Sequence, residues 1–167
     1  MNNIAKRLLL VACLVLPFAA CKKQEEVKVD QSEQAQAALV APAKDDDAAW
    51  RTYLSEVVTR NMGTITNSPY LYYLPPESDP EFEAKYQRSL EQAQTAIARG
   101  IVGGNLLAFG SSASSRMADL VVASFDGVQE NSMKGVRLLF IGDAADNERV
   151  QAAVAPAGVD YVFVEAK

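Results

Sequence analysis

Apolar positions along the chain fall into three regimes. Residues 8–20, "LLLVACLVLPFAA", are uncharged throughout and follow Lys6 and Arg7. Residues 22–47 are polar and contain no aromatic side chain. Beyond them the pattern becomes periodic. In "DAAWRTYLSEVVTRNMG", Trp50, Tyr53, Leu54, Val57, Val58 and Met62 share one side at helical spacing, with Asp47 as N-cap and Gly63 as the stop. In "DPEFEAKYQRSLEQAQTAIARG", Phe82, Tyr86, Leu90, Ala93 and Ile97 form a second stripe; Asp79 caps, Pro80 takes the first helical position and Gly100 ends the helix. Both stripes are read as core.

Between these helices lies "TNSPYLYYLPP". Tyr70, Leu71, Tyr72, Tyr73 and Leu74 are β-prone and bounded by prolines, which predicts a short extended segment, with an edge strand as one form of it. The tyrosines read either as packing of a crossover against the helices or as a surface anchor for a partner. From residue 101 the rhythm changes. "NLLAFG", "SSASSRMADLVVASFDG", "VRLLFIG", "DAADNERVQAAVAPAG" and "VDYVFVEA" alternate strand, helix, strand, helix, strand. Continuous apolar strands joined by helices predict an α/β fold: a small three-stranded parallel sheet, half-Rossmann-like βαβαβ, covered by helices. The two N-terminal helices precede it and are expected to cover what the crossover helices leave exposed. No internal repeat or heptad pattern is present.

Composition removes whole classes of chemistry. Histidine is absent from the 167 residues, so Ser/His/Asp and Cys/His nucleophiles, a histidine base and the commonest zinc sets are excluded. The cysteines are Cys13, inside the apolar run, and Cys21, just after it.

A basic start, an apolar run too short for a membrane span of about 20 residues and small residues before a cysteine form a secretory layout over residues 1–20. "FAAC" at 18–21 resembles the lipobox of bacterial lipoproteins, with Phe18 where leucine is usual. The resemblance implies that Cys21 becomes the first mature residue and carries acyl chains such as palmitate, its partner being the lipid bilayer. Several acyl chains anchor stably where one binds only marginally. Lys22, in place of an aspartate that commonly retains such proteins in the inner membrane, implies the outer membrane, with the chain facing the periplasm. An acylated Cys21 leaves no free thiol in the mature chain.

Residues 21–47 then form a lipidated N-terminus and flexible tether, too polar to offset its ordering entropy, with a partly helical stalk around "SEQAQAAL" as the alternative. A single periplasmic domain spans 48–167. Once Lys6 and Arg7 are removed with the leader, fourteen basic residues face twenty-one acidic ones, a formal charge of −7. Nucleic acid is therefore not an expected partner.

Ligands of open parallel sheets bind at the carboxyl ends of the strands. Two stretches are predicted there. "FGSSASSR" places Ser111, Ser112, Ser114, Ser115 and Arg116 at a helix start, donors suited to an anion and equally to capping. "FIGDAADNERV" places Asp143 directly after a strand, with Asp146 near the next helix start; either reads as an N-cap, and Arg116 and Asp143 are expected to pair if the loops are neighbours. Neither loop matches a Walker, dinucleotide or nucleophile-elbow motif. "DDD" at 45–47 and "DAAD" at 143–146 lack calcium-loop spacing and read as solvated charge and caps, so no metal and no cofactor are expected.

Two function classes follow. One is a membrane-anchored binding or scaffold module of the cell envelope with a protein partner and no catalytic residues. The other is a small anionic-ligand or enzymatic domain using loops 110–116 and 142–147.

Overall fold

The computed structural model describes residues 38–167. The expected leader, Cys21 and most of the expected tether lie outside the described residues. Helix α1 (Asp47–Asn61) is followed by β1 (Tyr70–Leu74), α2 (Phe82–Ala98), β2 (Leu106–Ser111), α3 (Ser114–Ser124), β3 (Arg137–Gly142), α4 (Ala144–Val154) and, after one 3-10 turn, β4 (Asp160–Glu165). All three strand pairings are parallel, in the order β1-β2-β3-β4.

The sheet has four strands, not three. The segment Tyr70–Leu74 pairs with Leu107–Ser111, so β1, α2 and β2 form a complete parallel crossover unit. This also corrects the expectation of two helices preceding the sheet: only α1 does. Sequential strand order with right-handed crossovers puts all crossover helices on one face. Accordingly α2, α3 and α4 share a core with Tyr72, Leu107, Phe109, Leu138 and Phe140, and α1 alone covers Leu106, Ala108, Leu139 and Ile141 on the other face.

One helix is too narrow for that second face. Four strands at about 4.8 Å spacing span roughly 15 Å, against about 10 Å for a helix. Helix α1 sits over the middle pair, where Gly110 admits Leu54: a Cβ at Gly110 would collide with the Leu54 methyl groups. The central residues are fully buried, whereas Leu71 of β1 is exposed and Tyr73, Val162 and Val164 are only half-buried.

Local signals explain the helix ends. Asp46, one residue before the expected cap, accepts from the Ala49 amide (3.0 Å), and Gly63 takes φ +57° just after α1. Asp79 folds the entry to α2 by accepting from the Glu81 amide (2.7 Å), and regular helix starts at Phe82. Residues ahead of α1 belong to the same unit: Leu39 and Ala41 pack on the α1 side, the Ala41 amide donates to the Lys167 carbonyl (3.0 Å), and the Trp50 indole donates to the Ala43 carbonyl (3.0 Å). Among the described residues no helix is long and apolar enough to cross a membrane.

Candidate functional site

The carboxyl ends of β2 and β3 bring the two predicted loops together. The Ser111 hydroxyl donates to the Leu74 carbonyl (2.8 Å) and accepts from the Ala113 amide (2.9 Å), linking the end of β1 to the start of α3. The Ser114 hydroxyl accepts from the Asp143 amide (2.7 Å) and donates to Asp146 Oδ2 (2.6 Å), linking α3 to α4. Bare Gly142 makes that approach possible, since a Cβ there would lie 2.5 Å from Ser114 Oγ. Ser115 accepts from Arg149 Nη2 through its carbonyl (2.7 Å) and its hydroxyl (3.1 Å). Arg149 also pairs with Asp119 (2.5 Å) and Asp146 (2.8 Å), and these bonds, Asp119's first, raise its affinity for the proton.

The expected Arg116–Asp143 pair does not form. Arg116 donates to Glu83 Oε2 of α2 (2.7 Å) and lies over the rings of Tyr86 (4.5 Å) and Phe82 (5.4 Å). The physical reason is α2's place beside α3, which offers Arg116 two aromatic faces and a carboxylate. Asp143 is exposed at the N-cap of α4 and makes no side-chain cap bond. The hydroxyl of Ser112 is buried without a partner among the described residues and lines a cavity of about 260 Å³ with Lys44, Asp45, Glu77 and Ser78. Ser111, Ser114 and Arg116 thus spend donors on holding β1, α2, α3 and α4 together, and the Ser115 hydroxyl is engaged as an acceptor by Arg149. Among the described residues no cluster of three metal-ligating side chains occurs.

A larger concavity, about 520 Å³, runs along β1. Tyr70, Leu71, Tyr72 and Tyr73 line it, with Arg51 of α1 and Lys85 and Arg88 of α2. Its tyrosines are not equivalent. Tyr72 stacks on Phe109 (centroids 4.8 Å, 12° between planes) and is core. Tyr73 donates to Asp47 Oδ1 (2.8 Å) under the Arg51 guanidinium, which lies 4.5 Å from the ring. Burial first, then Asp47, pushes the Tyr73 phenol well above its ordinary range. Tyr70 and Leu71 remain 44% and 39% exposed. Sequence patterning notices the tyrosines and misses the cations; the i, i+3 spacing of Lys85 and Arg88 on the polar side of α2 is the signal that could have found two of them.

The Arg51 bond, followed by that of Tyr73, holds the Asp47 carboxyl below its usual range. A depressed carboxylate stabilises the fold above the unfolded-state pKa, 3.8, and the contribution is lost as pH falls through the lower folded value. The pair is exposed, so the effect is under about 1 kcal/mol. Urea midpoints followed by Trp50 fluorescence should therefore fall further between pH 7 and pH 3 for wild type than for Asp47→Asn. Equal falls would remove Asp47 from the acid response.

Compared with known protein families, characterised proteins and solved structures, the chain matches none.

Proposed function

We propose that this protein is a lipid-anchored binding module of the cell envelope. Acylated Cys21 holds it to the periplasmic face of the outer membrane, the polar segment after it serves as a tether, and the folded unit recognises a protein partner. One observation carries the recognition half of this reading. The strand-end loops turn most of their polar groups inward, while β1 leaves an aromatic edge and a groove open to solvent. The anchoring half rests on the basic start, the apolar run and "FAAC".

A second reading, a small-anion site at the strand ends, draws on the unpartnered Ser112 hydroxyl beside Lys44. Asp45 and Glu77 line the same cavity and oppose an anion there.

Labelled palmitate should enter the wild-type chain in cells and not Cys21→Ser; label in both would sink the anchor. Photo-crosslinkers placed at Tyr70 in the anchored protein should give discrete adducts in envelope fractions. A chain that captures nothing above background, yet binds inorganic phosphate saturably, would overturn the binding-module reading in favour of the second.

A further inference from the structure

Edge strands expose unpaired backbone groups, and natural proteins blunt them with charge, bulges or interior proline. Strand β1 has none of these within its five residues, "YLYYL"; Pro69 and Pro75 only bracket it. Among the described residues, no backbone bond outside the β1–β2 ladder reaches Tyr70, Leu71, Tyr72 or Tyr73. Among the described residues the outer edge is therefore a free row of donors and acceptors.

Its side chains narrow the occupant. In the register of the sheet Tyr70 lies on the α2 face and Leu71 on the α1 face, so a strand laid alongside finds apolar surface on both sides. The groove beside it is lined by Arg51, Lys85 and Arg88 and by no acidic residue, in a chain of net charge −5. Arg51 and Lys85 already have carboxylate partners, whereas Arg88 is exposed and makes no ion pair among the described residues. Among the described residues, one cation without an ion pair, Arg88, thus borders an open apolar edge.

We propose that β1 accepts an extended acidic segment of the partner protein as a fifth strand. The incoming backbone pairs with the free edge, its alternate apolar side chains meet Leu71 on the α1 face, and the carboxylates between them lie on the α2 face beside Tyr70, where one meets Arg88. A second copy of the chain fits less well. A two-fold contact between β1 edges would bring Arg88 against its own copy and supply no carboxylate from the groove lining to meet it. This inference rests on the binding-module reading and adds the mode of recognition and the chemistry of the segment recognised.

The test uses the full mature chain and fluorescein-labelled heptapeptides alternating valine with glutamate, or valine with lysine. The acidic peptide should bind saturably and more weakly as salt rises, the basic one at least tenfold more weakly. Leu71→Lys and Arg88→Glu, both at exposed positions, should each weaken binding roughly tenfold, with Trp50 fluorescence unchanged. Amide exchange over residues 70–74 should slow when the acidic peptide is bound. Absence of saturable binding, equal binding of both peptides, or indifference to both substitutions would overturn the inference. So would self-association of the free chain that Leu71→Lys abolishes, which would make a second copy the occupant. Binding that emerges only when residues 22–37 are replaced by a Gly/Ser linker would assign the edge to the chain's own tether instead. Envelope adducts that persist undiminished in Leu71→Lys would overturn the strand mode and leave the binding module standing.

Discussion

Replacing Phe109 by alanine is expected to lower the unfolding free energy by about 3–5 kcal/mol. Phe109 stands in the second strand of the sheet, has no exposed surface, and belongs to the core shared by α2, α3 and α4. Its ring lies against that of Tyr72 at 4.8 Å with the planes 12° apart, so the change removes both buried area and an aromatic contact. Neighbouring strands constrain the backbone on both sides, and the cavity left behind can close only in part. Against a typical total of about 5–15 kcal/mol the loss is large. It should appear as a fall of roughly 10–20 °C in the thermal midpoint by circular dichroism. Tyr72→Ala should cost less, because Tyr72 sits on the edge strand. The comparison bears on function, since Tyr72 seats β1 on the core and hence holds the proposed acceptor edge straight. A change under about 1 kcal/mol for Phe109→Ala would mean that the two inner strands tolerate a void, contrary to their close packing.

Why Phe109 is legible as core, and β1 only as an extended segment with an edge strand as one form of it, has one physical cause. Inner parallel strands are buried on both faces, so they read as unbroken apolar runs, and "LLAFG" and "LLFIG" do so. Strand β1 is an edge of five residues, its exposed and buried positions are mixed, and prolines adjoin both ends. Nothing in that pattern separates a strand from an extended linker. The consequence travels further than one strand. Without β1 in the sheet, α2 has no crossover to make, and the pattern leaves it with α1 on the opposite face. Its own stripe is correctly identified, since Phe82, Tyr86, Ala93 and Ile97 are buried and Leu90 packs partly against them. What cannot be seen is what that stripe packs against. Glu83 is then invisible as the partner of Arg116, and Asp143 stands in as the nearest carboxylate along the sheet edge. The strand-end loops themselves are legible: chain order and the parallel rule put them side by side, as the Ser114 bond to the Asp143 amide requires. Which acid faces inward depends on the twist of one helical turn in α4. That turn buries Asp146 and exposes Asp143.

Asp146 accordingly carries the second large effect, an expected loss of about 2–3 kcal/mol on change to alanine. Its Oδ2 accepts from the Ser114 hydroxyl (2.6 Å) and its Oδ1 from Arg149 Nη2 (2.8 Å) and Nε (3.1 Å). Truncation leaves Ser114 with a buried donor and no acceptor, and leaves the α3–α4 seam without its central acid. The cost stays below that of breaking an isolated buried ion pair, because Arg149 keeps Asp119 and the Ser115 carbonyl. Asp146→Asn retains a carbonyl oxygen and should recover part of the loss. Ser114→Ala, which leaves the Asp146–Arg149 contact intact, should cost about 1–2 kcal/mol. Urea unfolding of the three variants checks the order. The same variants also decide what the strand-end network is for. If it is a brace, envelope adducts formed through Tyr70 should be unchanged in Asp146→Asn and Ser114→Ala wherever those chains are folded, because the β1 groove draws on none of these residues. Adducts lost in a variant whose stability is undiminished would instead make the network part of the recognition surface, and would move the site from the β1 edge to the carboxyl ends of the strands.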